Sequence, residues 1–138
     1  MKKRKWKIVA ALVTLLIIIL AFGYVFRPSS ECVCNKKSVA ELQSIDIIEQ
    51  FETDEKQANE NYLGKVITVK GEIASVSSDD SGKTVVELKS KSIGNVSCTF
   101  CKNESPDSFL KQGNTVSVKG QCVGFTFDVV LIKCCQDN

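Results

Sequence analysis

The chain reads as mainly β, a small closed barrel of five strands preceded by an N-terminal transmembrane helix and one or two short α-helices. Three observations predict this. Two stretches, Tyr62 to Ile73 (YLGKVITVKGEI) and Gly113 to Cys122 (GNTVSVKGQC), show the period-two alternation of a half-buried strand, and each carries a Lys-Gly pair. Turn residues cut the rest of the C-terminal half into short β-branched segments of similar size. The N-terminus is basic and then wholly apolar.

The N-terminal element comes first in the chain. Lys2, Lys3, Arg4, Lys5 and Lys7 precede an uncharged run of 19 residues, Ile8 to Phe26, closed by Arg27 and Pro28. That length suits a helix crossing a bilayer and exceeds the usual apolar core of a cleaved signal. No clean small-x-small cleavage site follows, and Cys32 comes after Ser-Ser-Glu rather than directly after the run, as a lipoprotein would require. The expectation is an uncleaved signal-anchor holding the protein in the cell membrane through residues 8–26. The five leading cations place the N-terminus in the cytoplasm and everything after the span on the extracytoplasmic side. Domain limits follow as 1–27 for the basic tip and anchor, 28–37 for a stalk, 38–62 for a helical neck and 63–138 for the barrel.

Charge and cysteine content narrow the function. Without the leader, residues 28–138 hold 12 Lys and 16 Asp or Glu, a net of −4, so the basic isoelectric point belongs to the anchor. A broadly basic face for nucleic acid is absent from the composition. All seven cysteines follow the span, which fits a compartment where disulfides persist. The number is odd, and sequence alone leaves the connectivity open.

After the stalk, which contains Cys32 and Cys34, Ser38-Val39-Ala40-Glu41 has the form of a capping box. A helix is predicted from there to about Phe51, with Val39, Leu42, Ile45, Ile48 and Phe51 on one stripe and Ile47 beside it. Thr53-Asp54 caps a second, acidic helix in which Ala58 and Tyr62 lie four apart, ended by Gly64. The first strand is predicted at Lys65–Val76. The turn SSDDSGK leads to the second at Thr84–Lys89, and the third runs from Asn95 to Cys101. Ser105-Pro106-Asp107 opens a short helix that Gly113 closes, with proline inside the start and glycine past the end. The fourth strand is Thr115–Val123, and a hairpin at Gly124–Phe127 leads to the fifth at Asp128–Cys134. Five strands with a helix between the third and fourth is the order of the OB-fold, a partly open Greek-key barrel. Glycines inside strands suit the bends that close such a barrel, and the stretches around the two Lys-Gly segments do not repeat, which argues against duplication.

From Asp54 to Cys134 a family resemblance can be read. It is carried by Ala58, Asn59 and Tyr62 before Gly64-Lys65, then Val69-x-Gly71, Cys98-x-Phe100 and Gly113-x-x-Val116-x-Val118-Lys119-Gly120-x-Cys122-x-Gly124. Asp128-Val129-x-Leu131 and Cys134 complete it. In this order and spacing the chain resembles the tRNA_anti-like (tRNA-anticodon-binding-like) OB-fold family of bacterial membrane-anchored and lipoprotein-type proteins. The resemblance implies the fold and carries over neither an activity nor a site.

The chemistry is bounded mostly by exclusion. The chain has no histidine, which removes Ser-His-Asp and Cys-His catalysis and histidine-bearing zinc sites. It also lacks a P-loop, a G-x-G-x-x-G turn and HExxH. No catalytic residue, metal or cofactor is expected, and the chain reads as a non-enzyme. Asp79-Asp80 reads as a solvated hairpin tip. Cys98-Thr99-Phe100-Cys101 has the spacing of a redox or zinc motif, but on a strand the two thiols face opposite sides. Cys98 and Cys122 are expected to point into the barrel, and one disulfide is expected within Cys98, Cys122 and Cys134, with Cys122–Cys134 preferred. Cys32 and Cys34 are left to join two chains.

An OB-fold binds ligands on the face of its second and third strands and the flanking loops, which here supply Lys83, Lys89, Lys91, Lys102, Phe125 and Phe127. Lysines beside aromatics suit a single-strand stacking platform. Phe125 and Phe127 serve equally to close the barrel, and that reading is preferred. The function expected is an extracytoplasmic binding or interaction module whose ligand is an envelope protein, a peptide or a glycan. Single-stranded nucleic acid stands as an alternative that is not favoured, and a thiol redox or zinc protein as a second.

Overall fold

A computed structural model of the chain describes residues 2–25, 31–102 and 109–137, and it divides into two units, Met1–Ser30 and Glu31–Asn138. In the first unit, helix α1 (Lys2–Val25) exposes every side chain described in it, Leu12 to Tyr24. Among the described residues no helix is long and apolar enough to cross a membrane. The span expected at 8–26 lies partly outside them, since the side chains of residues 8–11, 25 and 26 are not described.

The second unit is built on β2 (Val66–Ser78), a 13-residue strand that bends midway. Its first half pairs antiparallel with β5 (Thr115–Phe125), Val66 opposite Gln121 and Gly71 opposite Val116. Its second half pairs with β3 (Thr84–Leu88), and β3 pairs in turn with β4 (Val96–Phe100). A parallel pairing of β4 with β6 (Val129–Gln136) and an antiparallel one of β6 with β5 close the ring. The two alternating Lys-Gly segments are therefore neighbours, as their place in the strand order predicts.

Both Lys-Gly glycines are explained by close approach. A Cβ on Gly71 would collide with the Ser44 hydroxyl and stand 3.2 Å from Leu88 Cβ. One on Gly120 would sit 2.6 Å from Cys134 Sγ and 3.0 Å from Leu131 Cβ, at a register shift between β5 and β6. Inward residues Ile67, Val69, Val86, Leu88, Val96, Phe100, Val118 and Leu131 fill the barrel and are almost wholly buried.

The segment ahead of the barrel differs from expectation. Residues 38–41 form no capping box. Glu41–Gln43 is instead a short strand, β1, parallel to β2 with Leu42 opposite Val69. The Val39 N–H donates to Val66 C=O (2.8 Å) and the Thr68 N–H to Ala40 C=O (2.9 Å), so this backbone is satisfied by β2 rather than by caps. Helix α2 starts later, at Ser44–Thr53, and its N-cap residue Gln43 makes no side-chain cap. Ser44 turns inward and donates to Lys89 C=O (2.6 Å). Ile47, Ile48 and Phe51 then pack into the core, Phe51 stacking on Phe125 with ring centres 5.4 Å apart. Burying a side chain of that size contributes about 2–3 kcal/mol. Helix α3 (Glu55–Tyr62) is capped by Asp54, whose carboxylate accepts from the Gln57 N–H (3.0 Å), and it buries Ala58 and Tyr62. Of the helix expected between Ser105 and Gly113, residues 105–108 lie outside those described, and 109–112 are turn and irregular backbone rather than helix, with Leu110 buried.

Candidate binding face

The strand alternation that fills the barrel leaves a second set of side chains pointing out. On β3 these are Val85 and Glu87, on β4 Ser97 and Thr99, and on β6 Val130 and Ile132, all half-buried. Register aligns them, with Val85 opposite Thr99, Glu87 opposite Ser97, and Ser97 opposite Val130. The result is a patch of hydroxyls and branched aliphatics with one carboxylate, Glu87, which accepts from the Ser75 hydroxyl (2.9 Å). None of these six residues is aromatic or basic. Sequence reasoning looked for lysines and aromatics and passed over this patch; the signal for it was the outward half of the same alternation that identified the strands.

The residues singled out from sequence do not assemble around that patch. Lys89 pairs with Glu72. Lys83 is exposed at the β2–β3 turn, where Asp79 accepts from the backbone N–H groups of Ser81 and Lys83, both at 2.8 Å. Asp79 thus serves the turn itself. Lys91 is exposed and borders a recess lined also by Ile48, Glu49 and Glu52. Lys102 is exposed beside the end of β4. Phe125 is held by Phe51 and packs on the core, while Phe127 is 83% exposed on the β5–β6 hairpin. Phe127 does meet the β3–β4 loop, since its carbonyl lies where a Cβ on Gly94 would be, and 98%-exposed Ile93 is next to that glycine.

A groove of about 350 Å³ between α2 and α3 is lined by Asp46, Glu49 and Gln57 among others. Two of the polar side chains lining it serve the fold, since Asp54 caps α3 and Gln50 accepts from the Tyr62 hydroxyl (2.7 Å).

The cysteines correct the expected connectivity. The disulfide joins Cys32 to Cys101, with Cα atoms 6.1 Å apart. Cys98, Cys122 and Cys134 are buried thiols. Cys98 and Cys122 do point inward, but each pairs in register with Leu131, which separates them. Cys134 lies beside Gly120, two residues from Cys122 and hence about 6–7 Å along the strand, too far for the preferred bond. Burial raises the Cys122 thiol pKa. Burial, then a hydrogen bond with the Cys98 thiol, raises that of Cys134 well above its ordinary value. Cys98 and Cys101 are not a redox pair, one being inside the barrel and the other bonded to Cys32. Among the described residues no group of three or more His, Cys, Asp or Glu is placed to hold a metal ion. The same disulfide, with Val33 1% exposed, shows that residues 31–36 belong to the folded unit rather than to a free stalk.

Strand order and closure define a five-stranded OB barrel. The chain belongs to the tRNA_anti-like family, whose model matches residues 1–136. No curated protein matches it. Its fold is similar to that of a lipoprotein from Klebsiella pneumoniae subsp. pneumoniae described as a candidate nucleic acid-binding protein. That match has a TM-score of 0.56 and 17% identity, covering 70% of this chain and 91% of the other. A second match, to the Stn1–Ten1 complex of S. pombe, has a TM-score of 0.38 and 26% identity over 49% of this chain and 52% of that one.

Proposed function

We propose that this protein is a membrane-tethered, extracytoplasmic OB-fold interaction module that binds an extended polypeptide or protein surface on its β3–β4–β6 face and catalyses no reaction. The observation that carries the ligand reading is the composition of that face. Val85, Thr99, Ser97, Val130 and Ile132 offer hydroxyl and aliphatic contacts around a single carboxylate. Single-strand binders stack bases on aromatics in a basic groove, each stacked base contributing about 1–3 kcal/mol. Neither component is on this face, and Phe125, the aromatic nearest in sequence to a stacking role, is occupied by Phe51. Support for the tether comes from the uncharged run of 19 residues after five cations. A disulfide in the folded unit supports the extracytoplasmic side.

A photo-crosslinking residue at Ser97 in the full-length protein in cells should capture a protein partner, and one at Lys56 on the outer side of α3 should not. In parallel, fluorescent oligonucleotides are titrated against the purified chain. Salt-sensitive oligonucleotide binding, with no adduct from position 97, would overturn the reading in favour of nucleic acid, the activity for which the Klebsiella lipoprotein is a candidate.

A further inference from the structure

Three buried apolar residues, Val33, Cys101 and Cys135, stand apart from the cluster that fills the barrel. Buried groups outside the main core mark a segment laid over the surface. Along β6, Cys135 follows Cys134, whose side chain is in the core, and it pairs in register with Lys119, which alternates outward from Val118. Cys135 therefore sits on the outside of the barrel, yet it is only 2% exposed. Its register partner is covered as well, since the Lys119 side chain is only 15% exposed.

The cover is a strap, residues 31–38. One end is fastened by the Cys32–Cys101 disulfide and by the Val33 N–H, which donates to Lys133 C=O (3.2 Å) on β6. At the other end the Val39 N–H donates to Val66 C=O (2.8 Å) on β2. Between β6 and β2 lies β5, so the strap crosses the outside of the strand that carries Lys119. Residues 33–36 form a turn closed by the Lys36 N–H on Val33 C=O (2.8 Å), a bond internal to the strap. Among the described residues no backbone bond ties residues 34–38 to the barrel. A segment held by so few backbone bonds opens more easily than the strands beneath it. Of the two bonded cysteines, Cys32 is half-buried and Cys101 buried, so the Cys32 sulfur is the more open to attack.

We propose that this strap is a redox-released cover: an external dithiol opens Cys32–Cys101, residues 31–38 lift, and the outer strip around Cys135 and Lys119 is uncovered while the barrel stays folded. A thiolate of the dithiol attacks the Cys32 sulfur, forming a mixed disulfide and displacing the Cys101 thiolate. The second thiol of the reductant then closes its own disulfide and displaces the Cys32 thiolate. The dithiol loses two electrons, the protein disulfide gains them, and the two thiol protons end on Cys32 and Cys101. The uncovered strip continues β6 beyond Ile132, so release enlarges the outer face at its β6 edge. Release of the strap is independent of what that face binds.

The test treats the full-length chain in detergent with dithiothreitol, removes the reductant, alkylates without denaturant and maps the modified cysteines. Cys98, Cys122 and Cys134, inside the barrel, register global unfolding. After reduction Cys32, Cys101 and Cys135 should be modified, Cys135 about tenfold or more faster than before, with the three core thiols still protected. Unchanged protection of Cys135 in the reduced chain would overturn the proposal. Core thiols modified as fast as Cys135 would do the same, because the whole barrel would then be opening, and so would a disulfide that dithiothreitol leaves intact. Cys32→Ser should give the fast Cys135 reaction without reductant, and dithiothreitol should add nothing to it; a Cys135 still protected in this variant would mean that the disulfide does not hold the strap.

Discussion

Two sides of the same barrel are built in opposite ways. On the tied side, where β2 meets β5 and β6 ends, neighbours dictate nearly every position. Gly71 and Gly120 leave no room for a Cβ, Cys32 bonds Cys101, and Thr68, Asp137 and Lys119 form a hydrogen-bonded chain. On the bare face, Val85, Ser97, Thr99 and Val130 are half-buried and lie side by side in strand register. Stability is concentrated on the first side, and the second is left open to change without cost to the fold. An OB-fold can therefore keep its frame while its ligand varies.

The largest expected effect lies at the disulfide. It closes a loop spanning 69 residues, for which chain-entropy arguments give about 4 kcal/mol. Cys101→Ser should lower stability by about 3–4 kcal/mol in urea unfolding, whereas Thr99→Ala, two residues earlier on the bare face, should change it by less than about 0.5 kcal/mol. Equal effects from the two would erase the contrast.

Gly120 comes next. Gly120→Ala places a methyl 2.6 Å from Cys134 Sγ and 3.0 Å from Leu131 Cβ, and overpacking of this kind costs about 2–3 kcal/mol. Adding Cys134→Ala removes the nearer clash, so the double variant should be more stable than the sum of the two single losses by about 1 kcal/mol. Strict additivity would mean that the glycine is required by the register shift rather than by the sulfur.

How much of this was legible in the sequence follows the same division. Alternation identified the strands, since Val116, Val118 and Cys122 share a buried face as the pattern requires, and the OB strand order placed the two Lys-Gly strands side by side. Asp54 capped its helix as read. What failed was long-range. Ser38-Val39-Ala40-Glu41 satisfies a local capping rule, but pairing with β2 overrides it at Val39 and Thr68. The disulfide partners lie 69 residues apart, and nothing in the local pattern around Cys32 announces Cys101. Of the candidate site residues, Lys89 and Phe125 were claimed by Glu72 and Phe51, partners brought in by the bend of β2 and by the docking of α2. The outward patch was visible as the complement of the core and was overlooked because its residues carry no distinctive chemistry.

The smallest effect is electrostatic and sharpens the comparison by pH. On the tied side the Asp137 carboxyl pKa is lowered, first by its hydrogen bond with Lys119 and then by that from the Thr68 hydroxyl (2.9 Å). The Lys119 pKa is raised, chiefly by the same bond. A lowered carboxyl pKa contributes stability that is present above the unfolded value, about 3.9, and is lost as pH falls through the folded one. A raised ammonium pKa contributes below its unfolded value, about 10.4, and fades as pH rises through the folded one. The pair therefore supports the fold across the whole neutral range and fails at both ends. Because both side chains retain some exposure, 15% and 30%, Asp137→Asn should cost only about 0.5–1 kcal/mol at pH 7. That difference between variant and wild type should begin to shrink near the unfolded value, about pH 4, and vanish as pH falls through the lowered folded pKa. Thr99→Ala on the bare face should show no such pH-dependent difference. A variant–wild-type gap that persisted at low pH would assign Asp137 a packing role instead of a charged one.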